Sequence, residues 1–138
     1  MINEVAFEQI QGNYWYGAYE EFRVVMMKDS GYINATKMCK DNGKLYYHWA
    51  RQKHIKQLIR FVGVKAKKEH GGVLPMPIRV AIKATDNSQT DKLISGVYIH
   101  PDLIGSLACW ISPEYALNFA SKVVQEHLLS KSISITSK

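Results

Sequence analysis

Cysteines and long apolar runs are both scarce in this chain. Its 138 residues contain only two cysteines, Cys39 and Cys109, too few for the disulfide framework of a small secreted protein. No apolar run approaches the roughly 18 residues that a membrane-spanning helix requires. We therefore expect neither a disulfide framework nor a membrane partner.

A basic start followed by an apolar core, the pattern of a signal peptide, is missing from the N-terminal residues Met1-Ile2-Asn3-Glu4. We expect a protein that stays inside the cell. A chain of 138 residues can bury a sizeable core and is typical of one domain. We place that single domain at residues 1–129. Residues 130–138 are small, polar and unpatterned, which indicates a flexible tail or the start of a linker.

Acidic side chains are absent between Asn42 and Lys68, although the rest of the chain carries mixed charge. This interval holds nearly all the excess positive charge of a chain whose formal net charge is +6. A concentrated patch of one sign is typical of a surface that binds a polyanion. Its basic residues are Lys44, Arg51, Lys53, Lys56, Arg60, Lys65, Lys67 and Lys68.

The first part of the chain predicts a hairpin followed by a short helix. Residues 14–19 and 22–28 are rich in aromatic and β-branched side chains, as strands are, and a third short strand follows at 32–33. Asn34 is placed to cap a helix over 35–40, because its side-chain oxygen can accept a hydrogen bond from a first-turn amide.

The segment from Leu45 to Val62 predicts a long amphipathic helix. At the helical repeat, its apolar side chains gather on one face and its basic side chains on the opposite face. Arg51 falls near the apolar face, so we expect it at the edge of the core or in an ion pair. The apolar face contains Tyr47, Ile55, Leu58, Ile59 and Val62, and the basic face contains Lys53, Lys56, Gln57 and Arg60 with Tyr46 and Trp49 alongside.

Residues 78–83 and 93–100 predict a β-hairpin, or wing, around a loop tip at 86–89. Two helices then follow, over 102–110 and 113–129. The basic side chains of the wing are Arg79 and Lys83, on one side of their strand, and Lys92, across from them. The residues expected to face the core are Leu103, Ile104, Leu107 and Ala108 in the first helix, and Tyr115, Leu117, Phe119, Ala120, Val123, Val124 and Leu128 in the second.

Four motifs occur in a fixed order: GYINATKMC at 31–39, YHWAR at 47–51, GVYIHPDL at 96–103 and LACWISPEYA at 107–116. Together they resemble the KilA-N domain of large DNA viruses and bacteriophages. That domain is similar to the fungal APSES domain, in which a helix-turn-helix and a β-wing bind duplex DNA. The resemblance implies an α+β fold with a winged helix-turn-helix-like core, a small antiparallel sheet and C-terminal helices.

We therefore predict a non-enzymatic domain that binds double-stranded DNA mainly through its phosphates, without a metal or other cofactor. For a viral protein this places it in the host cytoplasm or nucleus. Asn34 is assigned to capping and Trp49 to packing rather than to DNA contact. The predicted DNA-binding residues are Lys44, His48, Arg51, Gln52, Lys53, Lys56, Gln57, Arg60, Lys65, Lys67, Lys68, Arg79, Lys83 and Lys92.

Catalytic motifs are not found in the chain. It has no phosphate-binding G-x-x-x-x-G-K-[ST] loop, no paired cysteine and histidine spacing of a zinc finger, and no carboxylates in the basic interval that would hold Mg²⁺ for a nuclease.

Two other functions remain open. One is protein recognition, for example as the substrate adaptor of a ubiquitin ligase, since relatives of the KilA-N domain are often joined to a RING-type partner. The other is binding of RNA or single-stranded DNA, by stacking on Tyr46 and Trp49. A homodimer and a fused C-terminal domain also remain open. The aromatic face available to a protein partner contains Tyr14, Trp15, Tyr16 and Tyr19.

Overall fold

The computed structural model describes residues 4–83 and 88–136, with side chains described over 5–83 and 88–129. These residues form one six-stranded antiparallel sheet and six helices, which confirms the α+β class. The strands are β1 (Glu4–Gln11), β2 (Tyr14–Tyr19), β3 (Phe22–Met27), β4 (Ile33–Asn34), β5 (Arg79–Ile82) and β6 (Gly96–Ile99). The helices are α1 (Ala35–Asp41), α2 (Tyr46–Ala50), α3 (Lys53–Glu69), α4 (Gln89–Ile94), α5 (Pro101–Ile111) and α6 (Pro113–Thr136).

The sheet has the strand order β1-β2-β3-β4-β6-β5. Tyr19 pairs with Phe22 across a two-residue turn, in which Glu20 adopts a positive φ of 51° that tight hairpins favour. This confirms the predicted first hairpin. Strand β1 was not predicted, because two register shifts against β2 break the alternation of apolar and polar side chains that indicates a strand.

The start of α1 is fastened to β6 and to the end of α4. Asn34 is fully buried, its Oδ1 accepts a hydrogen bond from the Lys37 amide at 3.0 Å, and its Nδ2 donates to the Ser95 carbonyl at 2.9 Å. Thr36 Oγ1 accepts from the Val97 amide at 2.9 Å. Gly96 has a φ of +145°, and a Cβ there would collide with the Asn34 side chain. The predicted capping role of Asn34 is confirmed.

The single helix predicted from Leu45 to Val62 is wrong in one important respect. Gln52 is extended, with φ −65° and ψ 138°, and it divides the segment into α2 and α3. The break changes the direction that the α2 side chains face, so Trp49, predicted on the basic side, is completely buried, and Tyr47, predicted inward, is 56% exposed. Helix α3 then continues to Glu69, beyond the predicted end, and stops before two glycines with positive φ, Gly71 and Gly72.

The antiparallel pairing predicted for the wing is correct. The second strand is shorter than predicted, because helix α4 occupies the residues up to Ile94. Strands β5 and β6 pair antiparallel, with Arg79 opposite Ile99 and Ile82 opposite Gly96. Lys92 lies in α4 rather than across from Arg79, because Ser88 caps a helical turn, its Oγ accepting a hydrogen bond from the Asp91 amide. The predicted loop tip at 86–89 lies partly outside the described residues, and Gln89 already belongs to α4.

The sheet and its covering helices enclose the core. One buried cluster joins Val25, Met27, Tyr32 and Tyr98, and the Tyr98 hydroxyl donates to the Ile94 carbonyl at 2.7 Å. The four α5 residues predicted to face the core are all buried. Residues 1–107 form one compact unit.

Residues 108–138 form a second compact unit, which consists mainly of α6. Tyr115 is buried as predicted, but the other predicted core residues of this helix are exposed, because its apolar side chains are spread around the helix instead of forming one face. The helix also extends past the predicted end at residue 129. None of the helices in the described part combines the length and apolarity needed to cross a membrane. The exposed residues are Leu117, Phe119, Ala120, Val123, Val124 and Leu128.

Candidate nucleic-acid interface

Helix α3 carries half of the predicted site residues. Its 17 residues extend about 25 Å at 1.5 Å per residue. Ile55, Val62 and Ala66 are buried on one side, which leaves the opposite side to solvent. That outer side is basic over its whole length. The exposed residues on it include Lys53, Lys56, Gln57, Arg60, Lys67 and Lys68.

The N-terminal end of α3 is electropositive. Gln52 is the N-cap residue, its side chain makes no capping hydrogen bond, and no acidic residue lies in the first turn. First-turn amides of a helix point outward with partial positive charge, and here Lys53 adds a full charge beside them. This end of the helix is therefore suited to hold a phosphate.

Lys65 differs from its neighbours because two carboxylates neutralise it. Its Nζ lies 3.1 Å from an Asp102 oxygen and 3.8 Å from a Glu69 oxygen. The hydrogen bond to Asp102 raises the pKa of Lys65, and the charges of Asp102 and Glu69 add to this. Lys65 therefore links α3 to the first turn of α5.

Arg51 and His48 both lie near the ring of Tyr47 at the α2–α3 junction. The Arg51 guanidinium is 5.7 Å from the centre of the Tyr47 ring, and the His48 ring is 4.4 Å from it. Arg51 is exposed, so its predicted place at the edge of the core is wrong. The chain ends α2 at Arg51, and the resulting turn directs this side chain outward.

Arg79 connects the wing to the helical pair. Its Nη1 lies 3.5 Å from the Tyr46 hydroxyl, and the Tyr46 ring packs 5.8 Å from Trp49. Arg79 and Lys83 are both exposed and four residues apart, and in an extended chain this spacing directs both side chains to the same face of the sheet. The basic strand therefore reaches the helical pair that carries the other predicted residues.

Lys92 and Lys44 lie outside α3, in α4 and in the segment between α1 and α2. Lys92 lines a cleft of about 780 Å³ between α1 and α4, together with Lys37 and Lys40, which sequence reasoning did not select. Lys37 is paired with Asp41 at 3.2 Å. Lys44 is half-buried near Cys39, where burial raises the pKa of the thiol to about 11 and the Lys44 charge opposes the rise.

Sequence reasoning also missed two exposed apolar residues within the basic face of α3. Phe61 is 67% exposed and Val64 is 50% exposed. Phe61 lies inside the predicted helix and Val64 lies two residues beyond its end, so the helical repeat places Phe61 on the outer face directly and Val64 once it is continued to Glu69.

The described residues offer no group of three or more histidine, cysteine or carboxylate side chains that could hold a metal ion. Three of the aromatic residues suggested for protein recognition are covered. Tyr19 is 8% exposed, Lys28 lies 4.1 Å over the ring of Trp15, and Arg23 lies 4.4 Å over that of Tyr16.

The fold and site together define a class of protein, an α+β domain that presents an exposed basic helix beside a short β-ribbon. The profile of the KilA-N domain matches residues 17–128. The chain therefore belongs to the KilA-N domain family, which confirms the resemblance seen in its four motifs.

Its relatives are proteins of large DNA viruses. The chain is 35% identical over 130 residues to a KilA-N domain-containing protein of Acanthamoeba polyphaga mimivirus, and 32% identical over 114 residues to KilA-N domain-containing protein 006L of Invertebrate iridescent virus 6. These alignments cover 91% and 83% of this chain but 26% and 31% of the relatives. A protein of Fowlpox virus (strain NVSL) is 27% identical over 131 residues, which are 89% of this chain and 80% of that protein.

The chain thus spans about a quarter to a third of the mimivirus and iridescent virus relatives. No solved structure matches it significantly.

Proposed function

We propose that this domain binds duplex DNA through the outer face of α3. The observation that carries the proposal is a row of uncompensated cations. In the described part of the chain, no ion pair involves the five basic residues of this face. The five are Lys53, Lys56, Arg60, Lys67 and Lys68.

Like charges placed along one helix repel each other, and neighbouring acids commonly relieve that repulsion. Glu69 and Asp102 are both directed at Lys65, and neither is shared with the five cations. A ligand with a regular array of negative charges supplies the missing compensation, and the phosphates of duplex DNA form such an array.

The dimensions of the helix also favour duplex DNA. The major groove of B-form DNA is about 12 Å wide and admits an α-helix. Gln52 and Gln57 belong to or border α3, and glutamine can pair with the edge of adenine in this groove. In this proposal, Arg79 and Lys83 on the wing contact the adjoining backbone.

Stacking of RNA or single-stranded DNA on Tyr46 and Trp49 is weakened by the packing of these rings. Trp49 is completely buried, and Tyr46 packs against it. The protein-recognition alternative is favoured by a different observation, the exposed apolar side chains of α6. These side chains belong to the second unit, whereas α3 belongs to the first.

The test is fluorescence anisotropy with a labelled random-sequence duplex over a salt series, with single-stranded DNA and RNA of equal length as competitors. Five phosphate contacts give an expected slope of log Kobs against log salt of about −4.5, at roughly −0.9 per phosphate. Failure to bind duplex at low salt would contradict the proposal.

A matched pair of variants tests whether DNA binding depends on the position of the charge on α3 or only on the net charge of the protein. Lys56→Glu on α3 and Lys122→Glu on α6 change the net charge equally, and both residues are exposed. We expect Lys56→Glu to weaken binding and reduce the salt slope, and Lys122→Glu to leave both close to wild type. Equal losses from the two variants would indicate non-specific attraction and not a site on α3.

A further inference from the structure

Phe61 and Val64 stand exposed in the middle of the basic face of α3. They are three positions apart, so they lie on the same side of the helix, in line with Gln57 before them and Lys68 after them. Phe61 is 67% exposed and Val64 is 50% exposed. The buried residues of the helix face the other way, so neither side chain contributes to the core.

Unpaired cations lie along one flank of this apolar pair and at its C-terminal end. Arg60 and Lys67 lie along the flank and Lys68 follows in line with the pair, and none of the three has an ion-pair partner in the described part of the chain. The matching ligand is apolar at its centre and anionic at its edges. The major groove of DNA has this arrangement, because the C5-methyl groups of thymine project from its floor and phosphates line both rims.

We infer that Phe61 and Val64 contact thymine methyl groups in the major groove, with Gln57 directed at an adjacent adenine. This inference rests on the proposed function and adds a base preference to it. The segment from Gln57 to Val64 rises about 10 Å, or about three base pairs at 3.4 Å each. The expected site is therefore a short A·T-rich step, read by one amide and two apolar side chains.

Replacing thymine by deoxyuracil is the direct test, because it removes the methyl group and leaves the base pairing and both grooves' polar groups unchanged. A preferred duplex is first selected from a random library with the wild-type protein. Its affinity is then measured with each thymine replaced in turn. We expect a three- to fourfold loss at each contacted thymine, the effect of one buried methyl group, and no change at the others.

Two variants test whether Phe61 and Val64 cause the loss of affinity that follows replacement of thymine by deoxyuracil. Each of the variants Phe61→Ala and Val64→Ala should bind thymine and deoxyuracil duplexes with affinities within twofold of each other at the thymine that the missing side chain contacts, and should keep the wild-type ratio at the other. Val73→Ala is the matched control, since Val73 is also exposed, at 74%, but lies outside α3. It should keep the wild-type ratio. Thermal unfolding of each variant checks that the fold is intact.

The outcomes separate the two proposals. If duplex binds but every wild-type ratio of thymine to deoxyuracil affinity is near one, the inference is overturned and the proposed function stands. If the α3 variants retain the wild-type ratio at every thymine, the inference is likewise overturned. If no duplex binds at low salt, both fail. In that case, binding to vesicles of anionic lipid is measured as well. If wild type binds these vesicles and Phe61→Ala does not, the apolar pair is assigned to a membrane surface.

Discussion

Trp49 shows how a single residue can be essential for packing and still carry an unsatisfied polar atom. Its side chain is completely buried, and its Nε1 has no hydrogen-bond partner among the described residues. A buried donor without a partner costs about 1–3 kcal/mol. The contribution of Trp49 to stability therefore comes from the volume it fills, not from its polar group.

Trp49→Phe should consequently be tolerated far better than Trp49→Ala. The phenyl ring fills most of the space, and the loss of volume, about 1–2 kcal/mol, is largely offset by removal of the unpaired N–H. Trp49→Ala should lower the free energy of unfolding by about 3–5 kcal/mol. Urea unfolding of the two variants measures the difference. Equal losses would mean that the indole N–H makes a stabilising hydrogen bond.

His100 makes the stability of the domain depend on pH. Its Nδ1 accepts a hydrogen bond from the Asp102 amide at 3.0 Å, at the first turn of α5. Burial lowers the pKa of His100 from its ordinary 6.5, against the charges of Asp102 and Glu69, which raise it. The protonated ring cannot accept this bond, so the unfolded chain takes up the proton more readily.

The stabilisation is therefore fully present above the unfolded pKa near 6.5 and is lost as the pH falls from there through the folded pKa. His100→Asn should keep an acceptor for the Asp102 amide and remove this titration. We expect the free energy of unfolding of wild type to fall more steeply than that of the variant between about pH 7 and pH 5. Parallel curves would show that another group titrates.

At the scale of the element, the basic residues of α3 differ in their surroundings. Those of the outer face point to solvent, whereas Lys65 forms an ion pair with Asp102 at the start of α5. Lys65 and Lys68 are exposed lysines near the end of the same helix, and among the described residues carboxylates pair with Lys65 but not with Lys68. These two residues therefore test whether pairing within the protein decides which cations are available to DNA.

Lys68→Met should reduce the salt slope of duplex binding by about 0.9, the value of one phosphate contact. Lys65→Met should change the slope less, because its charge is already compensated by two carboxylates. The measurement is anisotropy over a salt series for both variants. A larger loss for Lys65→Met would show that DNA displaces Asp102 and recruits Lys65.

The helical pair also shows what local patterns can predict. The caps and apolar repeats of the first hairpin, α1 and α5 depend on neighbours in sequence, and they were predicted correctly. The break at Gln52 has no such signal. The Gln52 side chain makes no capping hydrogen bond, and the apolar repeat continues through this residue. The break therefore becomes evident only in the folded structure, where it accompanies the burial of Trp49.

For the whole molecule, charge is distributed unevenly along the chain. Residues 1–22 contain four glutamates and no basic residue, and the interval from Asn42 to Lys68 contains eight basic residues and no acid. Such a separation orients a protein in the field of a polyanion and speeds its association.

Duplex DNA should be preferred over duplex RNA of the same sequence by about tenfold or more at equal salt. The phosphate charge of the two duplexes is similar, but the deep, narrow major groove of A-form RNA does not admit a helix such as α3. Competition of each unlabelled duplex against a labelled DNA duplex gives the ratio. Equal competition would assign binding to charge alone and remove the groove from the proposed function.

The amino-acid sequence by itself determined the family, the α+β class, the first hairpin, the Asn34 cap and the inward face of α5. All of these follow from motifs, caps and periodicities within a few residues of each other. Contacts between distant residues decided the rest. Lys65 meets a carboxylate 37 positions away, so its pairing with Asp102 leaves no local pattern. The degree of exposure of Phe61 and Val64, among cations without ion-pair partners in the described part of the chain, likewise depends on how α3 packs.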